Sequence, residues 1–346
     1  MIHQGPNRRL ARLTTTPLAV VGGMLLTGLR DVTRDPAALD GGAGVWAVVA
    51  DFEGDVVCAR FDDVRPATPW PGAAWRGPAR DAWTSSLDEA AFKKGVQTIR
   101  DAIGCGDVYQ VNLCRVLSAR VAADADVAAL GAALAEGNPA PFAAVVRLPE
   151  QNVHVASASP ERFVRRDGDV VVSQPIKGTA ATIDGFLAKD YAENVMIVDL
   201  VRNDLGRCCA FGSVEVPALC AVEPHPGLFH LVSTVRGRLR AGYGWSDVLA
   251  ATFPPGSVTG APKLAALDMI RALEPVARGP YCGAIGWVDA GRNVGDLNVG
   301  IRTFWLADGR IHFGTGGGIT WDSTPEGEWA ETELKARRLL SVASST

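Results

Sequence analysis

The stretch Phe163-Val-Arg-Arg-Asp-Gly-Asp-Val-Val-Val-Ser-Gln174 places valine-rich segments on either side of Asp167-Gly168. Asp-Gly supplies the left-handed backbone positions of a tight hairpin turn, and valine fits a pleated, half-buried surface. The form recurs at Val45–Ala59, turning at Glu53-Gly54, and at Phe304–Gly314, turning at Asp308-Gly309. Hairpins impose antiparallel pairing. With helices between them they predict an α+β fold, through an internal duplication or otherwise, rather than a parallel βαβ series.

The helices are legible from their ends. Ser86 with Glu89 has capping-box spacing, and Phe92, Val96, Ile99 and Ile103 follow until Gly104 and Gly106 stop the helix. A second helix is expected over Ala188–Leu205, a third from Ala261-Pro262 to before Pro275, and a fourth over about Glu326–Val342. Residues 61–85, rich in proline and carrying Trp70, Trp75 and Trp83, read as an ordered loop joining an N-terminal section to the main body.

Composition narrows the function. A chain of 346 residues with 47% hydrophobic content can bury a large core, and a formal charge of -4 argues against a nucleic-acid or acidic-membrane partner. Cysteines at 58, 105, 114, 208, 209, 220 and 282 are odd in number and form no Cys-x-x-Cys pair. Neither zinc nor a disulfide framework is indicated, and a reducing cytoplasm fits. Arg8-Arg9 and Arg12 before the apolar run Pro17–Leu29 imitate a twin-arginine signal. Arg30-Asp31 follows where a small-residue cleavage site belongs, and the run is too short to span a bilayer, so export is not expected.

Beyond the opening hairpin, Pro175 keeps Gln174 extended, and Lys177 then sits at a strand exit beside Gly178. A lysine held on a stiff strand end is a candidate nucleophile; taken alone it reads more readily as a solvated surface lysine. Glu193 lies on the second helix, and Glu328, Glu331 and Lys335 share a face of the last. Should Glu193 and Glu331 face one cleft they suit Mg2+; otherwise they belong to salt-bridged faces. Gly314-Thr-Gly-Gly-Gly-Ile-Thr320 exposes a row of backbone N–H groups able to bind a carboxylate or phosphate, or is a bulged strand exit. Phe253–Lys263 is an anion cradle at a helix start, or a capped turn. Gln110 and Asn112 share one face of a strand, towards solvent or a polar pocket.

Together these segments resemble the chorismate-utilising enzymes: anthranilate synthase component I, aminodeoxychorismate synthase component I, and the isochorismate and salicylate synthases. The matching runs include Gly106–Leu113, Ser159-Pro-Glu-Arg-Phe163, Pro175-Ile-Lys-Gly-Thr179, Lys189–Leu200, Arg202-Asn-Asp-Leu-Gly206, His230–Thr234, Phe253–Lys263, Arg278–Gly286 and Asp322–Thr332. The resemblance implies two large β-sheets packed on each other with helices outside, a four-layer α/β/β/α arrangement. Residues 1–86 would be a short N-terminal section of that fold, without a clear tryptophan-binding segment, and 87–346 the chorismate-binding catalytic region.

The resemblance also implies roles. Lys177 stands where the aminodeoxychorismate synthases carry their lysine and the anthranilate and isochorismate types an alanine. Gln110 replaces the water-activating lysine of the isochorismate and salicylate synthases. Glu161 would be the general acid, Lys177 the covalent nucleophile, and Glu193 and Glu331, with Glu328 close by, the holders of Mg2+. Gly178, Thr179, His230, Tyr281, Arg302, Gly316, Gly317 and Gly318 match substrate-binding positions, with Gln110 and Asn112 beside them. Ammonia would come from a separate glutamine amidotransferase subunit, because Gly104-Cys-Gly106 has no His-x-Glu partner and Cys105 reads as a helix end. Thr182 and Val116 depart from arginines frequent in relatives. Anthranilate synthesis, or chorismate binding without turnover in a regulatory protein, are the competing expectations.

Overall fold

The computed structural model describes residues 16–345 except 69, 181, 226 and 227, so the twin-arginine imitation lies outside the described residues. The first strands are β1 Leu18–Val21, β2 Met24–Thr33, β3 Val45–Ala50, β4 Val56–Pro66, β5 Thr84–Ser85, β6 Gln110–Arg120, β7 Phe142–Leu148, β8 Val153–Ser159 and β9 Arg162–Asp167. There follow β10 Val170–Gln174, β11 Ile176–Ala180, β12 Glu215–His225, β13 Leu228–Arg238, β14 Gly260–Ala261, β15 Ala284–Asp289, β16 Val294–Val299, β17 Thr303–Ala307 and β18 Arg310–Ile319. The α-helices are α1 Glu89–Cys105, α2 Val127–Gly137, α3 Ala188–Gly206, α4 Trp245–Thr252, α5 Lys263–Leu273 and α6 Pro325–Ala343.

Every ladder is antiparallel, as the hairpins require. Pairing runs from β5 through β6, β18, β17, β8, β7 and β1 to β2. It continues through β4, β3, β15, β16, β9, β10 and β13 to β12. This ribbon doubles back on itself. Val146 and Val155 of one leaf share a core with Val49 and Ile285 of the other. Helices α2 and α6 cover the first leaf through Leu130, Leu134 and Leu339, and α3, α4 and α5 cover the second through Ile197, Trp245 and Ile270. The result is the expected four layers, with the two sheets joined edge to edge rather than separate.

Local signals explain most of the elements. Asp308 and Gly309 both have positive φ, the geometry that lets a two-residue turn follow the strand twist. Helix α1 ends at Gly106 in the left-handed region, but its N-cap is Asp88, whose carboxylate accepts from Ala91 N–H. Ser86, expected to cap, accepts instead from Val116 N–H of β6 at 2.9 Å. Helices α2 and α4 were not foreseen: α2 is nearly uniformly apolar, which hides its period, and α4 has only eight residues. The tryptophan-rich loop is ordered, with Trp75 donating to the Ala343 carbonyl and Trp83 to Ser344 at the end of α6.

Between its short partners β5 and β14, the outer edge of β6 is closed by other groups. Asn112 N–H donates to the Thr259 carbonyl and Cys114 N–H to Glu274, while Arg278 donates to the Asn112 carbonyl. Arg278 is 1% exposed, paired with Glu274 at 2.6 Å, and lies over the Phe52 ring.

In the first leaf, Phe304 is fully buried with its ring 4.6 Å from that of Phe313. Phe304→Ala is expected to cost about 3–5 kcal/mol through lost burial and a residual cavity, seen as a lower denaturant midpoint in chemical unfolding. A midpoint equal to wild type contradicts this packing.

Candidate active site

Alternate glycines of β18 define one face of the site. A Cβ on Gly314 would collide with the Tyr281 ring, one on Gly316 with Cys114, and one on Gly318 with the Gln110 amide, and this last Cβ would itself stand 3.5 Å from Lys177 Nζ. Strand β17 pairs with Arg310–Phe313 of β18, and beyond Phe313 that edge has no strand partner among the described residues. Lys335 reaches the edge there and donates to the Gly316 carbonyl at 3.0 Å. Gly317 points the other way, towards Glu328 on α6.

Lys177 arrives from the second leaf. Pro175 separates β10 from β11, yet both strands pair with β13, and the register shifts between Lys177 and Thr179. Gly178 absorbs that shift at φ +72, where a side chain would also press on Asp190. The half-buried Lys177 donates to the Ser257 carbonyl at 3.3 Å. It is not a bulk-solvent lysine, for it acts electrostatically on Glu161, Glu193 and Glu331.

Glu161 follows Pro160 in the turn between β8 and β9 and is 4% exposed. Its backbone is pinned by Val299, whose N–H donates to the Glu161 carbonyl at 3.0 Å. Burial pushes its carboxyl up to about 7, against the opposing pull of the Ser257 hydroxyl, the Lys177 charge and the Ile176 N–H. A carboxyl of that acidity is available as a proton donor near neutral pH.

The three remaining acids converge from α3 and α6. Burial raises both Glu193 and Glu328, and the Glu331 charge adds to each; Lys335, 2.7 Å away, holds Glu331 low. Among the described residues they do not close into a three-carboxylate cage. The Glu331 charge raises Glu193 and Glu328 alike, and oxygen donors this close suit a hard cation such as Mg2+ completed by water or substrate oxygens.

The other expected positions divide. Gln110 is 1% exposed, and its Oε1 has no hydrogen-bond partner among the described residues. Asn112 instead directs its amide to Cys114 Sγ at 3.0 Å, and the Tyr281 hydroxyl lies 3.7 Å from the same sulfur. Tyr281 is 4% exposed at the far end of the glycine row, and burial drives its phenol upward. Arg302 has the strained φ of 53, its pKa is lowered by burial, and no carboxylate pairs with it among the described residues. His230 Nδ1 stands 3.3 Å from the Gly178 carbonyl. The side chain of Thr179 lies outside the described residues. Sequence reasoning missed Ser257, whose signal was its place in the Phe253–Lys263 run, and the contact of Lys335 with the glycine strand.

This constellation matches a known family model over residues 71–341, that of the chorismate binding enzymes. The chain belongs to that family. Aminodeoxychorismate synthase component 1 of Escherichia coli is 38% identical over 313 residues, covering 85% of this chain and 68% of that protein. Anthranilate synthase component 1 of Thermus thermophilus is 40% identical over 289 residues, covering 79% and 61%. Among solved structures, anthranilate synthase component I from Streptococcus pneumoniae superposes with a TM-score of 0.74 at 25% identity, covering 98% of this chain and 86% of that one. An isochorismate synthase from Bacillus anthracis gives 0.78 at 23% identity, covering 97% and 98%, which bears on the fold alone.

The raised carboxyl of Glu161 has a consequence for stability. Its folded pKa of about 7 exceeds the ordinary 4.5, so the native state holds this proton more tightly than the unfolded chain. The contribution is fully present below the ordinary value and is lost as pH rises through the folded one, a swing of about 3 kcal/mol. Glu161→Gln, always neutral, should gain stability relative to wild type between pH 5 and pH 8 in paired unfolding curves; a pH-independent difference contradicts the buried acid.

Proposed function

We propose that this chain is the chorismate-aminating component of an aminodeoxychorismate synthase, converting chorismate and ammonia to 4-amino-4-deoxychorismate and water. The observation that carries the reading is the Lys177 amine, held at 3.3 Å by the Ser257 carbonyl and electrostatically coupled to Glu161. Curated relatives named aminodeoxychorismate synthase component 1, from Escherichia coli, Salmonella typhimurium and Klebsiella aerogenes, support it at 36–39% identity.

The chemistry proceeds in two displacements. Lys177 Nζ, after passing its ammonium proton to water, adds at C2 of the ring, both ring double bonds shift towards C4, and the C4 hydroxyl leaves as water with the Glu161 proton. Ammonia then adds at C4, the double bonds return, and the C2–N bond breaks to release the lysine amine. Glu161 recovers its proton from the incoming nitrogen. Gln110 brings an amide rather than an amine to the neighbourhood of Gly318, so it supplies no base for water attack.

Substrate carboxylates have two receptors. Arg302 offers a guanidinium without a protein carboxylate, and the free edge of β18 offers backbone N–H groups. Glu193 and Glu331, with Glu328 close by, would hold Mg2+, which when bound neutralises the ring carboxylate.

We assign ammonia supply to a separate glutamine amidotransferase chain. Cys105 is an exposed residue at the end of α1, as expected for a helix terminus, and the names of the relatives as component 1 are consistent with a second component. A cytoplasmic location accords with the free cysteines; no described helix is long and apolar enough to cross a membrane. Anthranilate formation is the second reading, kept by the 40% identity to the Thermus thermophilus enzyme.

Incubation with chorismate, Mg2+ and ammonium, followed by product analysis, should yield 4-amino-4-deoxychorismate. Anthranilate would establish the second reading, and unchanged chorismate with measurable binding a protein without turnover. Lys177→Ala should abolish the covalent adduct seen by intact-protein mass spectrometry, and Glu161→Gln should lower kcat about 10²- to 10⁴-fold. An adduct of normal yield in the alanine variant removes Lys177 from the mechanism.

A further inference from the structure

Beneath the acid and the nucleophile lies an ion pair that the two displacements do not use. Asp204, near the end of α3, and Lys263, the first residue of α5, meet at 2.6 Å with side chains only 7% and 16% exposed. Lys263 Nζ also donates to the carbonyls of Thr252 and Pro254, each at 3.0 Å. Those three acceptors match the three ammonium protons. Two of them belong to the segment 252–258 that leads from α4 towards α5, so the ion ties down that segment at its start.

Ser257 sits on the same segment and touches both reacting side chains. Its carbonyl receives the Lys177 amine at 3.3 Å, it shares a cavity wall with Glu161, and its hydroxyl favours the ionised form of that carboxyl. A cavity of about 20 Å³ has Glu161, Ser257, Thr252 and Asp204 in its wall, so the pair and the acid are close neighbours. A buried ion pair is poor evidence of stabilisation, because well-packed apolar residues of similar volume often do as well or better. Its two bonds to the start of one segment, with the third to α3, are what an apolar pair could not supply.

We propose that Asp204 and Lys263 are positioning residues for the reaction: they anchor segment 252–258 so that Ser257 holds the Lys177 amine and the Glu161 carboxyl in one fixed mutual geometry. This rests on the reading of Lys177 as nucleophile and Glu161 as acid. Displacements of about 1 Å at a reacting centre cost on the order of 10²-fold in rate, so a loosened loop registers in turnover before it registers in binding.

The test is the double variant Asp204→Leu/Lys263→Met, which removes both charges and leaves neither buried alone. It should fold with the circular dichroism of the parent, and kcat for chorismate and ammonium should fall about 10²-fold with KM nearly unchanged. Glu161 is faced by the Lys177 ammonium, the Ser257 hydroxyl and the Ile176 N–H. Freed from the hydroxyl that favours its ionised form, it should keep its proton to higher pH, moving the alkaline limb of the kcat profile upward. A folded double variant with parental kcat and an unmoved limb overturns the proposal. Should it not fold, Asp204→Asn, which keeps the shape, decides on the same readouts: a slower enzyme with a moved limb supports the role, and parental values overturn it. Lys177→Ala and Glu161→Gln assayed alongside separate the two ideas. Full activity in those variants sinks the functional reading itself, whereas parental behaviour of the pair variants in an enzyme that needs Lys177 and Glu161 sinks only the positioning role.

Discussion

The missing side chains on one face of β18 are the constraint around which the site is arranged. Gly314, Gly316 and Gly318 leave a shallow trough in which the Tyr281 ring, the Cys114 sulfur and the Gln110 amide lie directly against backbone. Fill any one of these positions and a buried group behind it must move. The trough also brings the Lys177 amine near the strand, because only hydrogen occupies the space between them. Glycine weakens a strand through entropy and lost packing, and here the full pairing of β18 with β6 from Arg310 to Ile319 offsets that cost.

Around the trough, the two leaves divide the work. The first contributes the glycine strand and, through α6, Glu328 and Glu331; the second contributes Lys177, Glu161 and, through α3, Glu193. Cations and acids therefore meet across a seam between elements far apart in the chain. The acids differ because their surroundings differ: Glu161 is raised by burial, whereas Glu331 is kept ionised by Lys335. One residue type is thus protonated more readily in one place and held ionised in another.

Much of this was written locally. Asp167-Gly168 and Asp308-Gly309 announced two hairpins and Glu53-Gly54 a third, because in all three the glycine takes a positive φ that few residues adopt. Pro175 and Gly178 marked Lys177 because both act on the backbone next to it. What stayed hidden depended on distant partners. The Ser86–Glu89 spacing is a capping box on paper, but β6 claims Ser86 and Asp88 takes the cap. Helix α2 is buried on most sides, so its apolar residues show no contrast with a polar face. Ser257 touches residues 80 and 96 positions away, and no spacing rule links them.

The doubled ribbon leaves few places where a foreign strand could add. At one end β6 has its outward N–H and C=O groups already engaged by Ser86, Thr259, Glu274 and Arg278. At the other, β12 pairs among the described residues with β13 alone and carries Pro217 and Pro224, which lack a donor, and the exposed acid Glu223. Such features discourage edge-to-edge aggregation. A chain so rich in strands can therefore stay dispersed at the concentrations a biosynthetic enzyme reaches, because its longest hydrogen-bonding frontier is folded inward or blunted.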